Sequence, residues 1–142
     1  MKSNPYDPYT LGMIHAAMHE QCAAAKQAGY RWAGFMDVPT GFAAVKDGTV
    51  DSVVADGYLI VYAIGTSWMA PPDVLFFEEL LTLRIEKQPG ALTCVTDAYE
   101  TIARANGCKH IVTGASTRRS FGKFLMSQGY EESANVYYKE LP

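Results

Sequence analysis

The stretch Glu78-Glu79-Leu80-Leu81-Thr82-Leu83-Arg84-Ile85-Glu86-Lys87-Gln88-Pro89-Gly90-Ala91-Leu92-Thr93 holds the residues of this 142-residue chain best suited to chemistry. An apolar run carrying two adjacent carboxylates leads into a turn at Pro89-Gly90, and a helical pattern opens directly after it. A strand–loop–helix junction of this kind leaves the first helical N–H groups without intrahelical partners. Those donors and the positive end of the helix dipole suit a bound anion such as a pyrophosphate. Glu78 and Glu79 are neighbours on the strand and point to opposite faces, so only one of them can face a cleft. Arg118-Arg119 stand where a helix begins, an end at which the dipole disfavours cations, which makes them candidates for an anionic contact. His15 and His19 lie one helical turn apart beside Glu20, a spacing that can hold a metal. No third ligand is evident, however, and His15 falls within an apolar stripe, so packing is the simpler reading. Cys94 sits just inside a helix, where a thiol pKa is lowered, but no base neighbours it and it reads as core.

These residues must be positioned by the elements around them. Residues 1–9, with Pro5, Pro8 and two tyrosines, read as an extended arm, and Thr10 is an N-cap for a first helix. Leu11, Ile14, His15, Met18 and Cys22 repeat at three- and four-residue steps along that helix, and Gly29 ends it. Glycines and Pro39 punctuate the next segment, with a short strand expected at Phe42 to Val45. Val50 to Ala55 and Tyr58 to Gly65 form a hairpin about Asp56-Gly57, a dipeptide that supplies the positive φ angles of a tight turn. Val74 to Ile85 is a long central strand after the Pro71-Pro72 break. Leu92, Val95, Tyr99, Ile102 and Ala103 share one helical face, closed by Gly107. His110 to Thr113 reads as a short buried strand. Ser116 or Thr117 caps a last helix with Phe121, Phe124, Leu125 and Gln128 on its inner side, Gly129 ends it, and Glu131 to Leu141 reads as a closing strand.

The expected architecture is therefore α/β (α+β), a single domain over 1–142 with a mixed sheet and no internal repeats. Hydrophobic residues are 49% and charged residues 19% of the chain, ordinary for a globular protein and too apolar for disorder. A net charge of −3 gives no electrostatic footprint for nucleic acid. No apolar run approaches the roughly 18 residues of a membrane span, and MKSNPYDPYT lacks the apolar region of a signal peptide. Cys22, Cys94 and Cys108 form neither a disulfide framework nor a metal motif, which favours a reducing compartment such as the cytoplasm.

In register, the chemical segment resembles the GNAT superfamily of acyl-CoA-dependent N-acyltransferases. Glu78-Glu79-Leu80 aligns with that family's E-E-L near the end of its fourth strand. Lys87-x-x-Gly90-x-Leu92 then falls without a gap on its [R/Q]-x-x-G-x-[G/A] loop, and Gly129-Tyr130 matches the G-F after its fourth helix. The resemblance covers residues 50 to 141 well and the first helix loosely. It implies a mostly antiparallel mixed sheet with helices on both faces, and transfer of an acetyl group from acetyl-CoA to an amine on a small molecule or a protein. It further implies that Thr82, Arg84, Lys87, Gln88, Gly90, Ala91, Leu92, Thr93 and Arg118 hold the acyl-CoA, with backbone N–H groups around Thr82 polarising the thioester carbonyl. A carboxylate, Glu79 ahead of Glu78, would take the proton of the amine. The chain departs from the family pattern at Lys87, at Leu92 in place of a small residue, at Arg84 in place of proline, and at Arg118 in place of asparagine. The usual tyrosine that protonates the leaving thiolate is Leu125 here, which leaves Tyr130, Tyr137 and Tyr138 as candidate donors, Tyr137 first among them. Such a loop, and a Phe-Leu pair in place of that tyrosine, are also similar to short GNAT-like proteins of tailed bacteriophages. This second likeness implies a rival role: a non-catalytic structural or assembly protein of a virion, whose partners are other virion proteins and whose location is the infected host's cytoplasm or the particle.

Overall fold

A computed structural model describes residues 6–114, 119–134 and 136–142. The first helix, α1 (Pro8–Gln27), begins two residues before the expected cap. Asp7 is the N-cap, and its carboxylate accepts from the Thr10 backbone N–H at 2.7 Å. Pro8 occupies the first turn, where its missing N–H costs nothing. Ile14, Ala17, Met18, Cys22 and Ala25 form the buried stripe. His15 lies outside that stripe and is exposed, with its ring edge-on to Phe42 and His19. The strand expected at Phe42 to Val45 is instead part of a helix, α2 (Val38–Lys46), capped by Asp37. Val38, Phe42 and Val45 are spaced four and three apart, so all three reach the same core once the segment is helical.

The hairpin forms as its turn dipeptide dictates: β1 (Asp51–Ala55) and β2 (Tyr58–Gly65) flank Asp56 at φ +44° and Gly57 at φ +86°. The central strand is β3 (Phe76–Arg84), followed by α3 (Thr93–Ala105), β4 (His110–Val112) and α4 (Arg119–Ser127). The sheet order is β1-β2-β3-β4, antiparallel except for the parallel β3–β4 pair, which the α3 crossover connects. Both faces are covered. On one, α1 and α2 bury Leu59, Val61, Leu83 and Ile85; on the other, α3 sets Val95, Tyr99 and Ala103 against Tyr58, Ile60 and Phe77. This agrees with an α/β chain built on a mixed sheet with helices on both faces.

Two further strand expectations fail. β4 is a three-residue edge rather than a buried strand: His110 and Val112 face outward and only Ile111 packs inward. Among the described residues, Glu131 to Leu141 contribute no strand. Val136 is 97% and Tyr137 88% exposed, so this segment has no half-buried face of the kind that stabilises a strand. Its described anchor is a ring contact between Tyr138 and Phe35. The caps expected at Ser116 and Thr117 lie outside the described residues.

Candidate functional site

The site is made by one extra residue. Val61 pairs with Leu81 and Tyr62 with Glu79, so Leu80 has no partner on β2 and bulges. Before the bulge, Phe77 and Glu79 point toward α3. After it the alternation is shifted, so Leu81 and Leu83 face α1 while Thr82 faces α3. Glu79 and Thr82, three positions apart, thus share a face that a regular strand would deny them.

There the two Glu79 oxygens are held by hydroxyl and amide donors. Oε2 accepts from Thr82 Oγ1 at 3.1 Å, and Oε1 accepts from Thr113 Oγ1 at 3.0 Å and from the Gly114 backbone N–H at 3.3 Å. Thr113 and Gly114 lie just beyond β4, where β3 and β4 separate after the Glu78–Val112 pair. Tyr99, wholly buried on α3, hydrogen-bonds Thr82 Oγ1. The Thr82 hydroxyl has one proton and directs it to the carboxylate, so Tyr99 is the donor in that contact. An ionised carboxylate has about four acceptor positions, and the three donors among the described residues leave one open on Oε2.

Around this group the walls are apolar. The Tyr62 ring stacks on Phe77 at 5.3 Å, and Phe77 lies 5.3 Å from the Tyr99 ring. Burial raises the Glu79 pKa above the ordinary carboxyl value, and the Gly114, Thr113 and Thr82 donors pull it only part of the way back. Tyr99 is pushed well above the phenol range, first by burial and then by the Glu79 charge. Tyr130, just past α4, is raised by burial and by Glu100, and its buried hydroxyl has no hydrogen-bond partner among the described residues. No family model, curated protein or solved structure matches the chain.

Of the two carboxylates singled out from sequence, only Glu79 enters this network; Glu78 is exposed on the opposite face. Tyr137 is not brought to it and lies in the exposed C-terminal segment. The loop residues are also elsewhere. Arg84, Lys87, Gln88, Gly90, Ala91 and Thr93 are exposed, and Leu92 packs beneath α3 against the second core. The loop closes on the β1–β2 turn: the Gly90 N–H donates to the Asp56 carbonyl at 2.8 Å and the Ile85 N–H to that of Gly57 at 2.9 Å. A Cβ on Gly90 would stand 2.9 Å from Asp56 Cβ and 3.4 Å from its carboxylate, so an acidic side chain sits beside the start of α3. The Cys94 thiol is accordingly raised rather than lowered, by burial first and then by Asp56. Arg118 lies outside the described residues. His15 and His19 belong to no group of three or more candidate metal ligands among the described residues.

Sequence reasoning missed Tyr99, Thr82 as a side-chain donor, and Thr113. A signal was present for Tyr99: a phenol on the apolar stripe of α3 brings a hydroxyl that needs a buried partner.

Proposed function

We propose that the chain is an acyl-CoA-dependent N-acyltransferase in which Glu79 takes the proton of the attacking amine. The observation carrying this reading is the half-buried Glu79 carboxylate, held by three donors and left with one acceptor position open among the described residues. A general base works best when its pKa lies near the working pH, and the raised value of Glu79 moves it in that direction. In the reaction the amine nitrogen bonds the thioester carbonyl carbon, the C–S bond breaks with its electron pair leaving on the CoA sulfur as a thiolate, and the amine proton passes to Oε2. Beyond Glu78, the side of β3 away from β2 has no ladder partner among the described residues, so an extended ligand has a free strand edge to follow. Backbone N–H groups near Thr82 would then face the developing oxyanion. The acceptor is an amine on a small molecule or a protein.

A non-catalytic assembly role, as in a bacteriophage particle, is the second reading. It is favoured by the Gly90 N–H already spent on Asp56, by the acidic group beside α3, and by the exposed Trp68, Met69, Val136, Tyr137 and Leu141. Calorimetry with acetyl-CoA, followed by a thiol assay for CoA release with a panel of amines, separates the two. Binding with turnover that falls about 10²- to 10⁴-fold in Glu79→Gln is expected for the enzyme. No heat of binding at millimolar acetyl-CoA would sink it.

A further inference from the structure

We infer that Tyr99 is a positioning residue for Glu79, acting through the Thr82 hydroxyl rather than on any substrate. Its bearing on turnover rests on the acyl-transfer reading, whereas its effect on the carboxylate does not. Thr82 reaches the Glu79 face only because of the bulge at Leu80, and its hydroxyl is a rotor that could aim its proton in several directions. Tyr99 removes that freedom. Its O–H is donated into a Thr82 lone pair, so the Thr82 proton is left aimed at Oε2. The Tyr99 ring cannot swing away, because it is fully buried and packed 5.3 Å from Phe77. Burial and the neighbouring carboxylate both oppose ionisation of the phenol, which favours the form that can donate. The chain from Tyr99 through Thr82 to Glu79 is thus one-directional, and each bond polarises the next.

The consequence is that the open position on Oε2 has a fixed direction. Among the described residues, the groups around the carboxylate are Tyr62 from β2, Tyr99 from α3, Thr113 and Gly114 after β4, and, beyond Tyr99, Tyr130 after α4 with Glu100 behind it. None of these described groups is cationic, and each described contact to the Glu79 oxygens is a hydrogen bond. Removing the Tyr99 hydroxyl weakens the Thr82 donation without deleting it; removing the Thr82 hydroxyl deletes it.

The test is a carbon-13 NMR titration of carboxyl-labelled glutamate in the full chain, with the Glu79 signal identified by its loss in Glu79→Gln. Tyr99→Phe is expected to raise the Glu79 midpoint by about a third of a pH unit. Thr82→Val should raise it by about one unit, and Thr82→Ser, which restores a hydroxyl, should return it to the parent value. A Tyr99→Phe midpoint equal to or below the parent's overturns the proposal, as does a Thr82→Ser midpoint matching that of Thr82→Val. If Tyr99→Phe does not fold, the two Thr82 variants still decide whether the hydroxyl chain sets the carboxylate. Where turnover is found, the acidic limb of kcat/KM in Tyr99→Phe should move upward with the NMR midpoint, and a fixed limb overturns the link to catalysis. Where no turnover is found, the acyl-transfer reading fails while the titration still decides the positioning role.

Discussion

Replacing Thr113 by valine removes one hydroxyl from the Glu79 carboxylate while keeping nearly the same shape. The main bond lost is the 3.0 Å donation to Oε1, together with a contact of the same hydroxyl to Tyr99; the Gly114 N–H and the Thr82 hydroxyl remain on the carboxylate. A hydrogen bond to a charged group contributes about 1.5–3 kcal/mol, against about 1 kcal/mol for a neutral pair. The sign with pH follows from the raised Glu79 pKa. Burial penalises the ionised form, so this group's contribution to stability is greatest below the ordinary value of 4.5 and declines as pH rises through the raised folded value. Thr113→Val deprives the ionised form of a donor, raises the folded value further and deepens that decline. Urea denaturation at pH 4 and pH 8 should therefore show a cost of about 1 kcal/mol or less when Glu79 is protonated and about 2 kcal/mol when it is ionised. In a Glu79→Gln background the Thr113→Val cost should lose its pH dependence, and the double-mutant cycle reads the coupling directly. Equal losses at the two pH values, or additive single and double variants, would refute the argument that Thr113 acts on a buried carboxylate.

Three further outcomes are expected. Gly57→Ala should lower stability by about 3 kcal/mol in urea denaturation, combining the strain of a positive φ with overpacking, because its Cβ would stand 3.0 Å from Pro89 Cα; a near-neutral result would mean that the 85–91 loop does not pack on the turn. Asp56→Asn should tighten acetyl-CoA binding by about threefold at low salt, with the gain fading as salt rises, and unchanged or weaker binding by calorimetry would show that this carboxylate does not oppose the anion. Tyr137→Phe should leave turnover at the parent value, since its side chain is 88% exposed and away from Glu79; a loss in the thiol assay would return it to the site.

Much of the fold was legible because its signals are local. Asp56-Gly57 specifies a hairpin by φ angles that few other residue pairs accept, and both angles are positive in the structure. The periodic stripe at Val95, Tyr99 and Ala103 selects a helix without reference to anything beyond it. Val38, Phe42 and Val45 carry the same kind of periodicity over a stretch short enough to pass for a strand, and the Asp37 cap with Pro39 in the first turn starts a helix there. The closing segment illustrates the converse, since its β-forming residues become a strand only when a ladder and a buried face are supplied.

The chemical site divides along the same line. By itself the sequence determined that a carboxylate pair stands in the central strand and that the two side chains must oppose each other, because alternation is a property of every extended backbone. Which of them is buried, and what it meets, was decided only in three dimensions. Leu80 carries no mark of being the residue left without a partner; the bulge arises from how nine residues of β3 are matched to eight of β2. That one-residue offset turns Thr82 toward α3, and the crossover brings Tyr99 to the Thr82 hydroxyl from 17 positions away and Thr113 to the Glu79 carboxylate from 34. Register and long-range contact are properties of the packed sheet, so no local pattern could have reported them.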